Sequence, residues 1–423
     1  MRHRIETVDY LRGLFALSIL AYHYYTWGGL YAGPLGDSVL TRLGIYGVSA
    51  FYVISGISFG YVYRDLRIGA GDFASFYVKR LFRLAPLYSL AVAGMLGFAL
   101  LSRMRGGVEA LPSPTTVLLN LTLAFGVLAP GAYLPVGGWS IGNEVAFYLA
   151  FPLAVAALRG GPVRFALVLA ASVGAALYFA FGVLTPARPL TAQWDAYINP
   201  LNQGFLFVAG VGVSAGIGRV ALSPRISYAM LALFAAAFAL LPSGRDQSSI
   251  VAGLPRLLFS AICIGICTVG AVGRLPLPRL LDRALSVLGA MSYSVYLLHP
   301  LVYRGASAVL TRLGAAQLVV ACAVALTLAA AWLVYRMIEA PMIRVGKRVA
   351  VRCRAAVERR TGHSAEDAHP AALGGGSAGD ATGRRDWRKE RAPVSSTLGG
   401  AGTRAALSPD TEPRTQGSVG HPM

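Results

Sequence analysis

Long apolar stretches separated by short polar segments recur along most of the chain. A helix needs about 20 apolar residues to cross the hydrocarbon core of a bilayer, and these stretches approach or exceed that length. The predicted spans are residues 10–27, 44–63, 84–101, 144–158, 163–184, 200–218, 226–242, 250–273, 285–303 and 316–338. The pattern predicts an all-α, polytopic membrane protein of about ten transmembrane helices. The apolar segment 116–129 is too short to add another.

Composition and charge placement agree with a membrane protein. Hydrophobic residues make up 55% of the 423 residues and charged residues only 13%, about half the share of a soluble domain. The net charge of +19 would suit a nucleic-acid partner, but Lys and Arg lie in short clusters between the apolar runs and near the carboxyl end. We therefore predict that the protein contacts membrane lipid and does not bind nucleic acid. With both termini in the cytoplasm, most basic segments fall on one side of the plasma (inner) membrane.

The composition changes near residue 348. Residues 5–348 form the predicted membrane domain, whereas 349–423 are rich in Gly, Ala, Ser, Pro and Arg and predict a disordered cytoplasmic tail. The four cysteines lie in apolar spans (Cys263, Cys267, Cys322) or among basic residues (Cys353). Their spacing matches neither a disulfide framework nor a zinc site, so no metal is predicted.

Ionisable residues in a predicted span are functional candidates, because charge is costly in hydrocarbon. Arg12 and His23 are eleven residues apart in the first helix, which places them on one face and about 16 Å apart along its axis. Asp9 is too distant to orient His23. A neutral imidazole at this depth could act as a general base toward a hydroxyl. The alternative is a histidine packed among neighbouring tyrosines.

Three other positions carry candidate chemistry. Arg80 and Arg83 are three residues apart in a segment predicted to lie along the cytoplasmic interface, so their guanidinium groups could grip a phosphate or simply anchor the segment. Glu144 is expected at the amino end of a span, where it could cap the helix, orient a base or hold a sugar hydroxyl. His299 precedes Pro300 near the outer end of the ninth span.

Several segments together resemble the acyltransferase 3 family of membrane O-acyltransferases. They are VDYLRGLFALSILAYHY, GVSAFYVISGISFG, KRLFRLAPLY, WSIGNEVAFYLAFPL, SYSVYLLHPLV and YRMIEAPMIRVGKR, and they cover most of residues 5–348. Members of this family acetylate bacterial surface polysaccharides or acylate macrolide antibiotics. The resemblance implies an acyl-CoA donor, expected to be acetyl-CoA, and a carbohydrate, glycolipid or antibiotic acceptor.

The resemblance also implies roles for individual residues. His23 and Glu144 would be catalytic, and Arg80, Arg83 and Arg12 would bind acyl-CoA. The expected substrate-binding residues are Trp139, Ser140, Tyr148 and His299. Ser55 and Ser140 are expected to be structural hydroxyls rather than sites of a covalent acyl intermediate.

Other functions remain open at this point. The hydrolase-like domain that follows the membrane domain in some relatives is not expected in the polar tail, so a separate protein could hand the acyl group on. Ten helices with intramembrane charge also fit an exporter of an envelope precursor, although the sequence has no clear inverted repeat. A membrane scaffold or sensor is a third alternative.

Overall fold

The computed structural model describes residues 5–30, 38–64, 69–107, 110–244 and 246–366, with side chains described as far as 360. Regular structure within these ranges is helical, apart from two isolated β-bridges. The α-helices are α1 Glu6–Trp27, α2 Val39–Val62, α3 Ala70–Met104, α4 Pro114–Leu121, α5 Phe125–Leu128, α6 Gly138–Arg159, α7 Pro162–Leu177, α8 Trp194–Tyr197, α9 Pro200–Ser214, α10 Pro224–Leu240, α11 Gln247–Val251, α12 Gly253–Val272, α13 Arg279–Ala290, α14 Ser292–Leu310, α15 Val319–Val334 and α16 Ala340–Glu366. Pi-helical turns at Tyr178–Val183 and Tyr335–Glu339 continue α7 and α15.

The helices confirm the helical membrane class but not the predicted number of spans. All ten predicted ranges overlap helices, yet only six helical segments in the described ranges are long and apolar enough to cross, or up to seven if the bent pair α13 and α14 forms one span. Two of the remaining helices are short, since α9 has 15 residues and α10 has 17. Helix α1 is long enough, but Arg12, His23 and its tyrosines make it less apolar.

Helix α3 corrects one predicted boundary. Arg80 and Arg83 do not lie on a separate interfacial helix, because α3 is continuous for 35 residues with Pro86 inside it. At 1.5 Å per residue α3 is about 52 Å long, well beyond a hydrocarbon thickness of roughly 30 Å. Its first turns therefore extend past the apolar layer, and Asp72 there pairs with Arg354 of α16 at 3.0 Å.

Three other boundaries differ from the prediction. Helix α16 continues to Glu366, so the first part of the predicted tail 349–423 is helical; residues 367–423 lie outside the described part of the chain. The predicted span 285–303 is broken after α13, and α14 leaves at an angle of 68°. Helix α6 begins at Gly138, more than a turn before the predicted start at residue 144.

Glycines bring the central helices together. A Cβ atom on Gly56 of α2 would lie 2.1 Å from the Phe207 carbonyl oxygen of α9, and one on Gly210 would lie 2.2 Å from the Val53 carbonyl oxygen. Membrane helices pack closely through such small residues, because little hydrophobic force drives helices together in lipid. Close packing on α9 fixes the position of α2, which forms one wall of the site below.

Candidate active site

A cavity of about 310 Å³ lies among α1, α2, α3, α6 and α14. This volume is at the lower end of the roughly 300–1,000 Å³ range of small-molecule sites. The polar and ionisable residues on its wall are Asp9, Arg12, Tyr52, Ser55, Ser58, Tyr61, Tyr63, Arg80, Arg83, Ser140, Glu144, Tyr148, Ser292, Tyr293 and Tyr296. The cavity runs from the beginning of α1 and the end of α2 to the beginning of α6.

Two of its arginines are held by neighbouring side chains. The Arg12 guanidinium forms an ion pair with Asp9 at 2.9 Å and donates a hydrogen bond to the Ser58 hydroxyl at 2.7 Å. Arg80 donates to the Tyr63 hydroxyl at 3.0 Å, and its guanidinium carbon lies 4.5 Å from the centre of the Phe59 ring. Such stacking fixes a guanidinium plane while leaving edges for further hydrogen bonds.

The third arginine is placed opposite buried acids. Arg83 interacts electrostatically with Glu339 and Glu144. Glu339 is only 4% exposed and accepts a hydrogen bond from the Ser294 hydroxyl at 2.7 Å. The π-helical turn Tyr335–Glu339 carries this carboxylate, and such turns are frequent at functional sites. Glu339 was not among the predicted site residues, although an acid directly after the last predicted span, 316–338, was a signal for it.

Glu144 is not a helix cap. It lies almost two turns inside α6, whose N-cap is Gly137, so the predicted capping role is wrong. Its carboxylate instead accepts a 2.6 Å hydrogen bond from the Tyr148 hydroxyl one turn later, and both residues line the cavity. Glu144 and Tyr148 therefore form a polar pair that faces the arginines.

Tyr296 of α14 lies at the far end of the cavity. Its hydroxyl is 2.8 Å from Ser140 Oγ and donates to the Gly137 carbonyl at 3.0 Å. Gly137 has a φ of +81°, and a Cβ atom there would lie 2.8 Å from this hydroxyl, so the position favours glycine for both reasons. Trp139 does not line the cavity; it packs edge-to-face against Trp194 at 5.7 Å.

The two histidines meet beyond Tyr296. Neither His23 nor His299 lines the cavity, but His299 Nε2 lies 3.0 Å from His23 Nδ1. The Tyr296 carbonyl is 2.7 Å from His299 Nδ1, so Tyr296 contacts both the cavity and the histidine pair. Two histidines of similar predicted depth are thus in direct contact, although they are 276 positions apart in sequence.

Aromatic side chains surround the histidine pair. Trp27 stacks on His23 with ring centres 4.8 Å apart, and it remains 37% exposed at the end of α1. The Tyr24 hydroxyl donates to the His299 carbonyl at 2.8 Å and lies 2.6 Å from Thr327 Oγ1. Trp27 was not among the predicted site residues, because a single tryptophan in a helix rich in aromatic residues does not indicate that it stacks on His23.

Comparison with known proteins identifies the chemistry of this architecture. The profile of Acyl_transf_3, described as an acyltransferase domain, matches residues 5–336. The chain belongs to this family. The chain is also 28% identical over 223 residues to the acyltransferase MdmB of Streptomyces mycarofaciens. The match covers 49% of this chain and 56% of that relative, so the chain spans about half the length of the relative. No solved structure matches.

The fold brings most of the predicted site residues to one place. Six line the cavity: Arg12, Arg80, Arg83, Ser140, Glu144 and Tyr148. His23, His299 and Trp139 lie beyond its wall, and the roles of all nine stay predictions. In the described ranges, no group of three or more His, Cys, Asp or Glu side chains could hold a metal ion.

Proposed function

We propose that this acyltransferase moves an acyl group, in the first instance acetyl, from acyl-CoA to a hydroxyl of a carbohydrate, glycolipid or antibiotic acceptor. The observation that carries the proposal is the cavity itself, in which Arg12, Arg80 and Arg83 converge inside an acyltransferase-family membrane domain. Converging guanidinium groups select an anionic substrate, and a CoA thioester supplies phosphates together with a transferable acyl group.

The position of the arginines suggests how the donor is oriented. Arg12 is near the beginning of α1 and Tyr63 follows α2, so the cavity begins at the helix ends that the positive-inside rule assigns to the cytoplasm. We place the donor phosphates at Arg12, Arg80 and Arg83 and the thiol arm along the cavity toward Tyr296. This orientation belongs to a plasma-membrane enzyme with cytoplasmic termini, in which α1, α9 and α10 also cross the membrane and complete the ten predicted spans.

His23 is the proposed general base. Its Nε2 takes the proton of the acceptor hydroxyl as that oxygen attacks the thioester carbonyl carbon. The carbon–sulfur bond then breaks, and the proton passes from His23 to the departing CoA thiolate. Ester and free thiol are the products, so no covalent enzyme intermediate is needed. Glu144 is the proposed residue that positions the acceptor or the imidazole, and Tyr148, which donates to its carboxylate, holds that side chain in place.

The route between donor and base passes Tyr296. Because its side chain lines the cavity and its carbonyl contacts His299, the thioester reaches His23 once this phenol ring turns aside. The acceptor approaches from the other end of α1, where Trp27 is exposed beside His23. Aromatic faces of this kind suit the apolar faces of a sugar ring. Ser140 lines the cavity wall between the two substrates, whereas Trp139 packs behind that wall against Trp194.

A direct assay tests the reaction. Membranes containing the protein receive acetyl-CoA labelled in the acetyl group, and label is followed into lysate glycans and added macrolides. We expect covalent label with the natural protein and with Tyr25→Ala, and a loss of about 10²–10⁴-fold with His23→Ala. Full activity in His23→Ala would remove the proposed base.

Export of an envelope precursor is the alternative that intramembrane charge favours. It predicts that an unmodified solute changes sides of the membrane and that no acetyl label becomes covalently attached. The same labelling experiment in sealed vesicles therefore distinguishes the two functions.

A further inference from the structure

The contact between the two histidines defines where their protons lie. His299 Nδ1 is 2.7 Å from the Tyr296 carbonyl oxygen and 3.3 Å from that of Val295. A carbonyl only accepts, so His299 Nδ1 carries a proton. His299 is 1% exposed in a membrane helix, where an imidazolium is costly, and the neutral ring therefore has an unprotonated Nε2.

This protonation state determines that of His23. His299 Nε2 is an acceptor and lies 3.0 Å from His23 Nδ1, so His23 must donate from Nδ1. The carbonyl of Ile19, one turn earlier on α1, also accepts a hydrogen bond from His23. The proton on Nδ1 leaves the lone pair of the neutral ring on Nε2, the nitrogen that a general base needs.

We infer that His299 is a positioning residue for His23 rather than a substrate ligand: it accepts the Nδ1 proton, selects the tautomer with a basic Nε2 and holds the ring against α14. This inference rests on the proposed function. The role of His299 resembles that of the group that orients the histidine base in hydrolytic triads, except that here the orienting group is a neutral ring fixed by a backbone carbonyl.

Several contacts make His299 suitable for this part. Its carbonyl accepts from the Tyr24 hydroxyl at 2.8 Å, and Tyr24 in turn contacts Thr327 at 2.6 Å. The stacked rings of Trp27 and His23 limit tilting, with only 22° between their planes. The His299 ring is thus fixed on its own helix, and its Nε2 presents an acceptor at a constant place. Partners that orient metal-ligating histidines typically contribute about 10–100-fold, and we expect the same range for the partner of His23.

Two substitutions separate positioning from binding. His299→Gln keeps an acceptor near the Nε2 position, whereas His299→Leu removes it with little change in volume. We expect His299→Leu to lower kcat by about 10–100-fold with the donor and acceptor KM changed less than about twofold, and His299→Gln to recover most of the loss. A rise in acceptor KM with unchanged kcat would instead make His299 a substrate ligand and overturn the inference.

Controls keep the test independent of folding and of the proposed base. If thermal unfolding shows that His299→Leu is not folded, His299→Gln is compared with His299→Asn, whose shorter amide does not reach the Nε2 position; equal kcat values would overturn the inference. If His23→Ala is active, the proposed function loses its base; if His23→Ala is inactive and His299→Leu is normal, only the present inference fails. Nitrogen-15 NMR of labelled histidines in the natural protein should show His23 protonated at Nδ1, and protonation at Nε2 instead would contradict it.

Discussion

Replacing Arg80 by alanine is the sharpest test of donor binding. Its guanidinium stacks on Phe59 and bonds to Tyr63 at the cavity wall. A hydrogen bond to a charged group contributes about 1.5–3 kcal/mol, and each 1.4 kcal/mol is about tenfold in affinity. Arg80→Ala should therefore weaken acetyl-CoA binding by about 10–150-fold. The acetyl-CoA affinity of Arg80→Lys should lie between those of the natural protein and Arg80→Ala, because an ammonium group keeps the charge but loses the bidentate geometry.

A matched control separates binding from stability. Arg336 stacks on Trp332 at 4.9 Å but does not line the cavity, so Arg336→Ala loses a comparable cation–π contact of about 0.5–2 kcal/mol. Binding of labelled acetyl-CoA is measured in nanodiscs together with thermal unfolding. We expect a stability loss for Arg336→Ala that is no larger than that for Arg80→Ala, which also loses the Tyr63 hydrogen bond, and weaker donor binding for Arg80→Ala alone. Unchanged donor affinity in Arg80→Ala would refute a phosphate contact and return Arg80 to simple anchoring.

Other features give further tests. Gly56→Ala should lower stability in detergent by about 1–3 kcal/mol or more, because its Cβ would overlap the α9 backbone. The control Gly97→Ala, whose Cβ would meet nothing within 4 Å, should be neutral or slightly stabilising. Equal unfolding temperatures for the two variants would contradict the close approach of α2 and α9. Tyr296→Phe removes about 1 kcal/mol of hydrogen bonding that holds the phenol ring across the route to His23, so the donor KM should fall about fivefold. A large loss of kcat would instead argue for a chemical role of the hydroxyl. Trp27→Ala should raise the acceptor KM without changing the donor KM, and the reverse result would contradict its place on the acceptor side.

Part of this architecture could be predicted from the sequence, because the length of an apolar run is a local property of the chain. Each of the ten predicted ranges overlaps a helix, although only six or seven helical segments in the described residues are long and apolar enough to cross a membrane. Spacing alone placed Arg80 and Arg83 on one side of a helix, where both line the same cavity. The predicted ends were less accurate. The predicted span 84–101 starts well inside α3, which begins at Ala70, and the α13–α14 bend lies inside the predicted span 285–303.

The missing part of the site depended on contacts between distant segments. Capping was one of three roles considered for Glu144, and the sequence could not exclude it because the position of Glu144 inside α6 depends on where the preceding loop ends. Glu339 meets Arg83 only through the packing of α16 against α3 and the π-helical turn before it. Likewise, the histidine contact needs α1 and α14 side by side, which no spacing along the chain encodes.

Tyr296 connects the cavity with the histidine pair, and the proposed reaction uses these two parts of the molecule one after the other. Its hydroxyl is tied to Ser140 at the cavity end, and its carbonyl fixes the ring of His299. Both anchors belong to one residue of α14, so arrival of a ligand and readiness of the imidazole are mechanically linked. In the proposed reaction such a linkage would keep the imidazole separated from the cavity until a bound donor turns the phenol aside.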